Sequence, residues 1–352
     1  MSVRVGLMGS GSAAQLYMEE AQASCSLSYV ACADLEIGRA AALAESYSIP
    51  RACSPEELLT AAEVEIVINL TPAAEHGRSG LQILRAGKHL FTEKPLAPTL
   101  AAGARLLDFA RGRGLRIGCA PDTFLARGLQ TARALIDNGE VGTPFAASAT
   151  VAMIQPESWH PRPATFYGDA AGPLFDMGPY YITAMVALLG PVALVAGFAT
   201  VAPRERRAVS GELIEPTVPS HDVAILEFTG GTVATLMASF DAARSAAPPI
   251  EIHCTLGTLR LPDPNHGAGA VCSCRHGQRE WVEEPAGAAG GQSRCIGIED
   301  MADAIREGRP HRASGELGLH VLDVMESLRR SEASHRVVRL RTTCERPEPL
   351  EA

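Results

Sequence analysis

The chain has 352 residues, 46% of them hydrophobic and 20% charged, with a formal net charge of −9. That length leaves room for two domains with separate cores, and the acidic balance excludes a polyanion partner, because nucleic-acid binding needs clustered cations. The nine cysteines, odd in number and without a C-x-x-C pair, read as reduced thiols rather than a disulfide framework or a metal cluster. With no charged-then-apolar leader before the first apolar run, the expected location is the cytoplasm.

Val3–Met8 is a short apolar run, and the chain turns through Gly9-Ser10-Gly11-Ser12-Ala13-Ala14 into a helical pattern. This is strand, tight turn, helix, with the G-x-G-x-x-G/A spacing of a dinucleotide-binding βα turn. Gly9 permits the turn, Gly11 lets backbone approach a pyrophosphate, and Ala14 lets helix and strand pack closely. Ser10, Ser12 and Ala13 complete the cofactor-facing loop at the helix start, where N–H groups and the helix dipole favour an anion. A second apolar run, residues 27–33, ends in Asp34, placed to hydrogen-bond a ribose diol. Asp34 also repels a 2′-phosphate, so NAD is expected over NADP. Arg39, on the following helix, is the nearby cation that could reverse this.

A helix is expected over 37–47, and Ser54-Pro55-Glu56-Glu57 announces another with a capping box. Residues 64–70 form a third strand that carries Asn69 and ends in Thr71-Pro72. Helix 75–86, with His76 near its start, leads through Gly87-Lys88 to a fourth strand, 89–91. Helix 100–111 and strand 115–119 complete an alternation that means a parallel sheet covered on both faces.

Beyond Pro121 the texture changes. Helix 129–138 and strand 145–153 precede a Pro-rich loop between the domains, Ser158-Trp159-His160-Pro161-Arg162-Pro163. Residues 182–202 are apolar and long enough to span a bilayer, but Gly190-Pro191 cuts them into a buried helix and a buried strand. The run Arg204-Glu205-Arg206-Arg207 reads as a solvated loop. Strands 223–228, 233–240, 250–254 and 258–261, joined by Gly turns, make an antiparallel sheet. Residues 286–291 read as a surface loop, and helices 297–306 and 315–330 close the chain. The expected fold is α/β: a Rossmann domain over 1–122, an α+β domain with an open, mainly antiparallel sheet over 123–340, and a tail, 341–352.

Glu93-Lys94-Pro95-Leu96 follows the fourth strand directly, at the edge where such sheets place ligands. Together with Thr71-Pro72, His76, Ala86-Gly87-Lys88-His89 and the stretch Ala171-Gly172-Pro173-Leu174-Phe175-Asp176-Met177-Gly178-Pro179-Tyr180, it resembles the glucose–fructose oxidoreductase, inositol dehydrogenase and rhizopine catabolism (Gfo/Idh/MocA) family along essentially the whole chain. Tyr180 departs from it, standing where many members carry histidine. The resemblance implies that Lys94, Asp176 and residue 180 meet at a substrate hydroxyl beside the nicotinamide, with Glu93 and His76 supporting the cofactor. Asp176 and Tyr180, at i and i+4, would share a helix face. Tyr180 is then a general base in oxidation or acid in reduction, with Lys94 lowering its pKa, or Lys94 is itself the base. The bland readings are a surface lysine, a capping or salt-bridging Asp176, and a core tyrosine at 180 beside Tyr181.

Trp159 suits a sugar-stacking platform and His160 a donor to a hydroxyl, with a domain-interface anchor as the alternative. His221-Asp222 opens a strand as a pocket-facing or structural pair, while His253, His311 and His320 read as structural. The implied activity is NAD-dependent hydride transfer at a secondary hydroxyl or ketone of a sugar, glycoside, aminosugar or cyclitol. Carbon 3 is favoured, in carbohydrate catabolism or antibiotic-sugar biosynthesis. Two rivals are an NAD-dependent glycosidase using transient C3 oxidation and a non-catalytic dinucleotide-binding regulator. The resemblance further implies a homodimer or homotetramer paired through the broad sheet face, while the sequence itself offers no membrane span and no metal cluster.

Overall fold

The computed structural model describes residues 2–21, 26–168, 171–267, 269–287 and 294–351. Cys25, and residues 288–291 of the expected surface loop, lie outside them. The chain forms two compact units, Met1–Asp122 with Ser293–Leu322, and Thr123–Gln292 with Asp323–Ala352. The expectation of one uninterrupted span over 123–340 is therefore corrected, because residues 293–322 return to the first unit.

The first unit alternates strand and helix: β1 (Val3–Met8), α1 (Ser12–Ala21), β2 (Leu27–Ala33), α2 (Ile37–Tyr47), β3 (Ala52–Cys53), α3 (Pro55–Thr60), β4 (Ile66–Asn69), α4 (His76–Arg85), β5 (His89–Thr92), α5 (Leu100–Arg111) and β6 (Ile117–Cys119). The six strands pair in parallel in the order β3-β2-β1-β4-β5-β6. Val5, Leu7, Ile66, Val67 and Ile68 are fully buried, as expected of strands covered on both faces. The capping box of α3 forms as its sequence dictates: Glu57 N donates to Ser54 Oγ (3.2 Å), and Ser54 N donates to Glu57 Oε2 (2.8 Å). β3 went unread because two residues carry no periodicity.

The second unit contains α6 (Arg127–Asp137), β7 (Pro144–Ala152), α7 (Pro173–Asp176), α8 (Gly178–Leu189), β8 (Val192–Thr200), β9 (Arg206–Arg207), β10 (Leu213–Ile214), β11 (His221–Phe228), β12 (Val233–Ser239), β13 (Ile250–Cys254), β14 (Gly257–Leu261), β15 (Cys272–Arg275) and β16 (Val282–Glu283). The chain continues through α9 (Ile296–Glu307), α10 (Gly315–Ser334) and β17 (Val338–Arg339). In the first unit α9 packs on β6, where Cys119 N donates to Ala313 O (3.0 Å) and a Cβ at Gly118 would stand 2.9 Å from Met301 Sδ.

Nine strands form the sheet of the second unit, in the order β16-β15-β14-β13-β7-β12-β11-β8-β17. β7 and β12 run parallel, and the other neighbours are antiparallel. β11 alternates buried and exposed residues along its length, which marks one covered and one open face. α6, α7 and α8 lie against the sheet. The apolar stretch at 182–202 is α8, stopped at Gly190 (φ +89°), followed by β8. Among the described residues no helix is long and apolar enough to cross a membrane.

The expected tail at 341–352 is strapped onto the second unit. Thr342 N donates to Asp323 Oδ2 (2.8 Å), Leu350 N donates to Gln130 Oε1 (2.8 Å), and Arg133 donates to Pro347 O (2.7 Å).

Candidate cofactor and proton-transfer residues

The carboxyl ends of β1, β2, β4 and β5 share one edge of the parallel sheet, and the first unit's candidate residues collect there. Gly9 has φ +101°, and an added Cβ would stand 2.6 Å from Leu70 O, so glycine is required twice over. A Cβ at Gly11 would meet nothing within 4 Å, leaving the backbone open to approach, and Ala14 on α1 is fully buried. Ser10 N donates to Asp34 Oδ2 (2.9 Å) and Glu36 N to Asp34 Oδ1 (2.9 Å). Two backbone donors thus fix the Asp34 carboxylate, and each oxygen keeps accepting capacity for a ribose diol. Arg39 pairs with Glu36 at 2.8 Å on the exposed face of α2. An open glycine turn, the start of a ten-residue helix and a fixed acidic acceptor fit a dinucleotide.

Asn69 is fully buried and acts as scaffold. Its Nδ2 donates to Thr92 Oγ1 (3.2 Å), and its Oδ1 accepts from Thr71 Oγ1 (2.8 Å) and Ser79 Oγ (3.1 Å). Pro72 beside Thr71 is exposed. His76, 1% exposed, sets its ring between Pro95 O (Nδ1, 2.6 Å) and Thr71 O (Nε2, 2.9 Å), clasping the loops after β4 and β5. Burial lowers its pKa, so the ring is favoured neutral and donates to one carbonyl at a time. Glu93 N donates to Asn69 O (3.0 Å), while Glu93 Oε1 accepts from Tyr17 Oη (2.8 Å) and Oε2 from Lys94 N (3.0 Å).

Lys94 is half-buried. Only two of the 31 cationic side chains are lysines, Lys88 and Lys94. Lys88 is buried, its Nζ donating to Ala61 O (2.5 Å) and Val64 O (2.8 Å). Where arginine serves nearly everywhere else, Lys94 stands in a ligand-edge loop with a side chain that, unlike arginine, can lose its proton.

In the second unit Gly172 (φ +84°) precedes α7, and a side chain is excluded there because a Cβ would stand 2.7 Å from Pro219 O. Asp176 is the last residue of α7, and Tyr180 lies in the first turn of α8. The single helix face expected for them is corrected: Met177 separates two helices, and Pro179 has no N–H to continue the ladder. Tyr180 is buried, at 7% exposure. Its neighbour Tyr181 is the clearer core anchor, donating from Oη to Asp263 Oδ1 (3.1 Å), and burial, then the Asp263 charge, push its pKa up.

Trp159 and His160 belong to the second unit between β7 and α7, so the expectation of a loop between domains is corrected. Trp159 is 52% exposed and meets His160 and Phe166 edge-on, at centroid distances of 5.4 and 5.8 Å. Beneath it Phe166 and Tyr167 both pack on Phe240. Asp222 forms an ion pair with Arg329.

A further correction concerns residues 204–207. Arg204, Glu205 and Arg207 are exposed, whereas Arg206 is buried. Its Nη1 donates to Glu157 Oε1 (3.0 Å) and Tyr167 Oη (3.1 Å), Nη2 donates to Asp241, and Tyr167 Oη donates to Glu157. Sequence reasoning also missed Tyr17, Ser79 and Asp122. Asp122 is buried, accepts from Gly297 N (2.8 Å) at the start of α9, and has its carboxyl lifted to about 6 by burial. Nothing in the sequence around Tyr17, which stands between Leu16 and Met18, points to its partner at Glu93.

Residues 3–120 match the model of an oxidoreductase family with an NAD-binding Rossmann fold, and residues 129–260 match a GFO/IDH/MocA C-terminal domain. A dTDP-3,4-didehydro-2,6-dideoxy-alpha-D-glucose 3-reductase of Streptomyces violaceoruber is 34% identical over 202 residues, 56% of this chain and 57% of that protein. Inositol 2-dehydrogenase 3 of Saccharopolyspora erythraea is 29% identical over 151 residues, 42% and 44% of the two chains. The chain thus spans about half the length of these two relatives. A levoglucosan dehydrogenase solved with NADH and L-sorbose shares the fold, with a TM-score of 0.82 at 18% identity over 97% of this chain and 99% of that one.

Proposed function

The chain belongs to the Gfo/Idh/MocA family of NAD-binding oxidoreductases, and from that premise we propose that it moves a hydride between NAD and a secondary hydroxyl, or the matching ketone, of a sugar, glycoside, aminosugar or cyclitol. Carbon 3 is favoured, and the 3-reductase relative supports that choice. The observation that carries the reading is Lys94, one of two lysines in the chain, in a braced loop on the sheet edge that also holds the glycine turn and Asp34. The bound nicotinamide supplies the carbon that accepts or donates hydride. Lys94 takes the hydroxyl proton during oxidation and returns it during reduction, or Tyr180 does so. Asp176 accepts a hydrogen bond from the substrate, and Trp159 and His160 contact the sugar.

The test is NADH fluorescence with purified protein against nucleotide-linked sugars, aminoglycosides and inositols. NADH appearing with one class supports the reading. Release of an aglycone without net NADH favours the glycosidase, and tight NAD binding with no turnover favours the regulator. Tyr180→Phe is expected to lose about 10²-fold or more in kcat if the phenol carries the proton. A retained rate leaves that role to Lys94.

NAD is the preferred cofactor in this reading, since Asp34 is fixed at the end of β2 and Arg39 is engaged by Glu36. Asp34→Ala should weaken NADH binding about 10- to 100-fold, the value of hydrogen bonds to a charged acceptor. NADPH binding should weaken less, because a like charge is removed. Equal NADH affinity in wild type and variant, read by fluorescence titration, sinks that assignment. The enzyme is proposed to be cytoplasmic and a homodimer or homotetramer, and Phe198, Val223 and Ile225, exposed on the open sheet face, support the pairing of subunits.

A further inference from the structure

We propose that Tyr17 is a positioning residue for Lys94, acting through the Glu93 carboxylate that it holds. The inference rests on the reading of Lys94 as a proton-transfer group. Tyr17 lies on α1, the helix that begins at the glycine turn, 76 residues before Glu93 in sequence. Its side chain is buried at 1% exposure, and Tyr17 Oη donates to Glu93 Oε1 at 2.8 Å. The second oxygen, Oε2, accepts from the backbone N–H of Lys94 at 3.0 Å.

A carboxylate bound at one oxygen can rotate about its last torsion, whereas one bound at both is fixed in plane and direction. The Lys94 backbone is therefore fastened on its N–H side by Glu93, and one residue later Pro95 O lies 2.6 Å from His76 Nδ1, which holds it in the Nδ1–H tautomer. With the backbone set on both sides, the Cα–Cβ direction of Lys94 is set too. The brace starts on the helix proposed to receive the pyrophosphate, so cofactor seat and lysine are tied by one rigid link rather than by the loop alone. Burial, then the charge of Glu93, raises the Tyr17 pKa well above its ordinary value, so the phenol remains a donor throughout the working pH range.

The bland alternative is a packed tyrosine whose hydroxyl takes a convenient acceptor. The two differ in where a Tyr17→Phe variant changes, because phenylalanine keeps the packing and removes only the donor. In the full-length protein without cofactor, amide hydrogen exchange at residues 92–97 should quicken at least several-fold, with the rest of the first unit unchanged. Acetic anhydride labelling, read by mass spectrometry, reports on few amines here, since the chain has only Lys88 and Lys94. Labelling at Lys94 should quicken while buried Lys88 does not change.

With a turned-over sugar, kcat should fall about 10- to 100-fold, the cost of misplacing a reacting group by a fraction of an ångström to an ångström, while the Kd for NADH stays within twofold. Glu93→Gln, which keeps one acceptor and loses the other, should reproduce the local exchange change. Unchanged exchange and labelling in both variants overturn the proposal, and so does loosening spread over the whole first unit, which marks a merely structural tyrosine. If Lys94→Ala keeps its turnover, the proton-transfer reading fails on its own account, and the exchange result still decides whether the brace exists.

Discussion

Lys94→Ala is expected to lower kcat by about 10³-fold, within the range seen for removal of a general acid–base group, while NADH still binds. Lys94→Arg sharpens the prediction. It keeps the positive charge and most of the length, but a guanidinium does not release its proton in this pH range. If Lys94 moves a proton, the arginine variant is nearly as slow as the alanine variant. If Lys94 only supplies charge, the arginine variant keeps most of the rate. Steady-state kinetics on one turned-over substrate separates the two, and an arginine variant within threefold of wild type removes Lys94 from the proton path. The scarcity of lysine makes this comparison apt, since arginine already fills 29 of the 31 cationic positions.

Arg206→Ala should cost about 3–5 kcal/mol of stability, the usual penalty for stranding buried charge. Glu157 and Asp241 have side chains 10% and 12% exposed, and Arg206 is the cation that pairs with both. Its guanidinium also lies 4.5 Å from the Tyr167 ring centroid, so cation–π attraction is lost with it. The expected drop in thermal midpoint is about 10 °C, read by calorimetry or by loss of circular dichroism. Arg206→Ala combined with Glu157→Gln and Asp241→Asn should recover part of the loss, because no charge is then left unpaired. A single variant that melts within 2 °C of wild type would show that this network adds little to stability. Segment 153–168, which carries Trp159 and His160, packs on this network through Tyr167 and Phe166, so the sugar contact proposed for them should weaken along with it.

The contrast between these two residues shows how far the sequence reaches. Lys94 stands in a run of neighbours, after a strand and before a proline, that together announce a ligand edge. Arg206 stands in a polar run like any exposed loop, and only its partners at 157 and 241 identify it as a core residue.

The sequence by itself determined the glycine turn with Asp34, the capping box at Ser54, the stop at Gly190, the parallel-then-antiparallel order of the strands and the loop that carries Lys94. Most of these depend on local patterns: hydrogen bonds of a helix end, the allowed φ of glycine, and the two- or 3.6-residue period of burial. Tertiary structure alone decided the burial of Arg206, the link from Tyr17 to Glu93, the return of residues 293–322 to the first unit, and the strap at 341–352. Most of these depend on partners tens of residues or more apart in sequence. A side chain records its own chemistry but not which distant segment folds against it, and the burial of a charge is settled only when that segment brings the opposite charge.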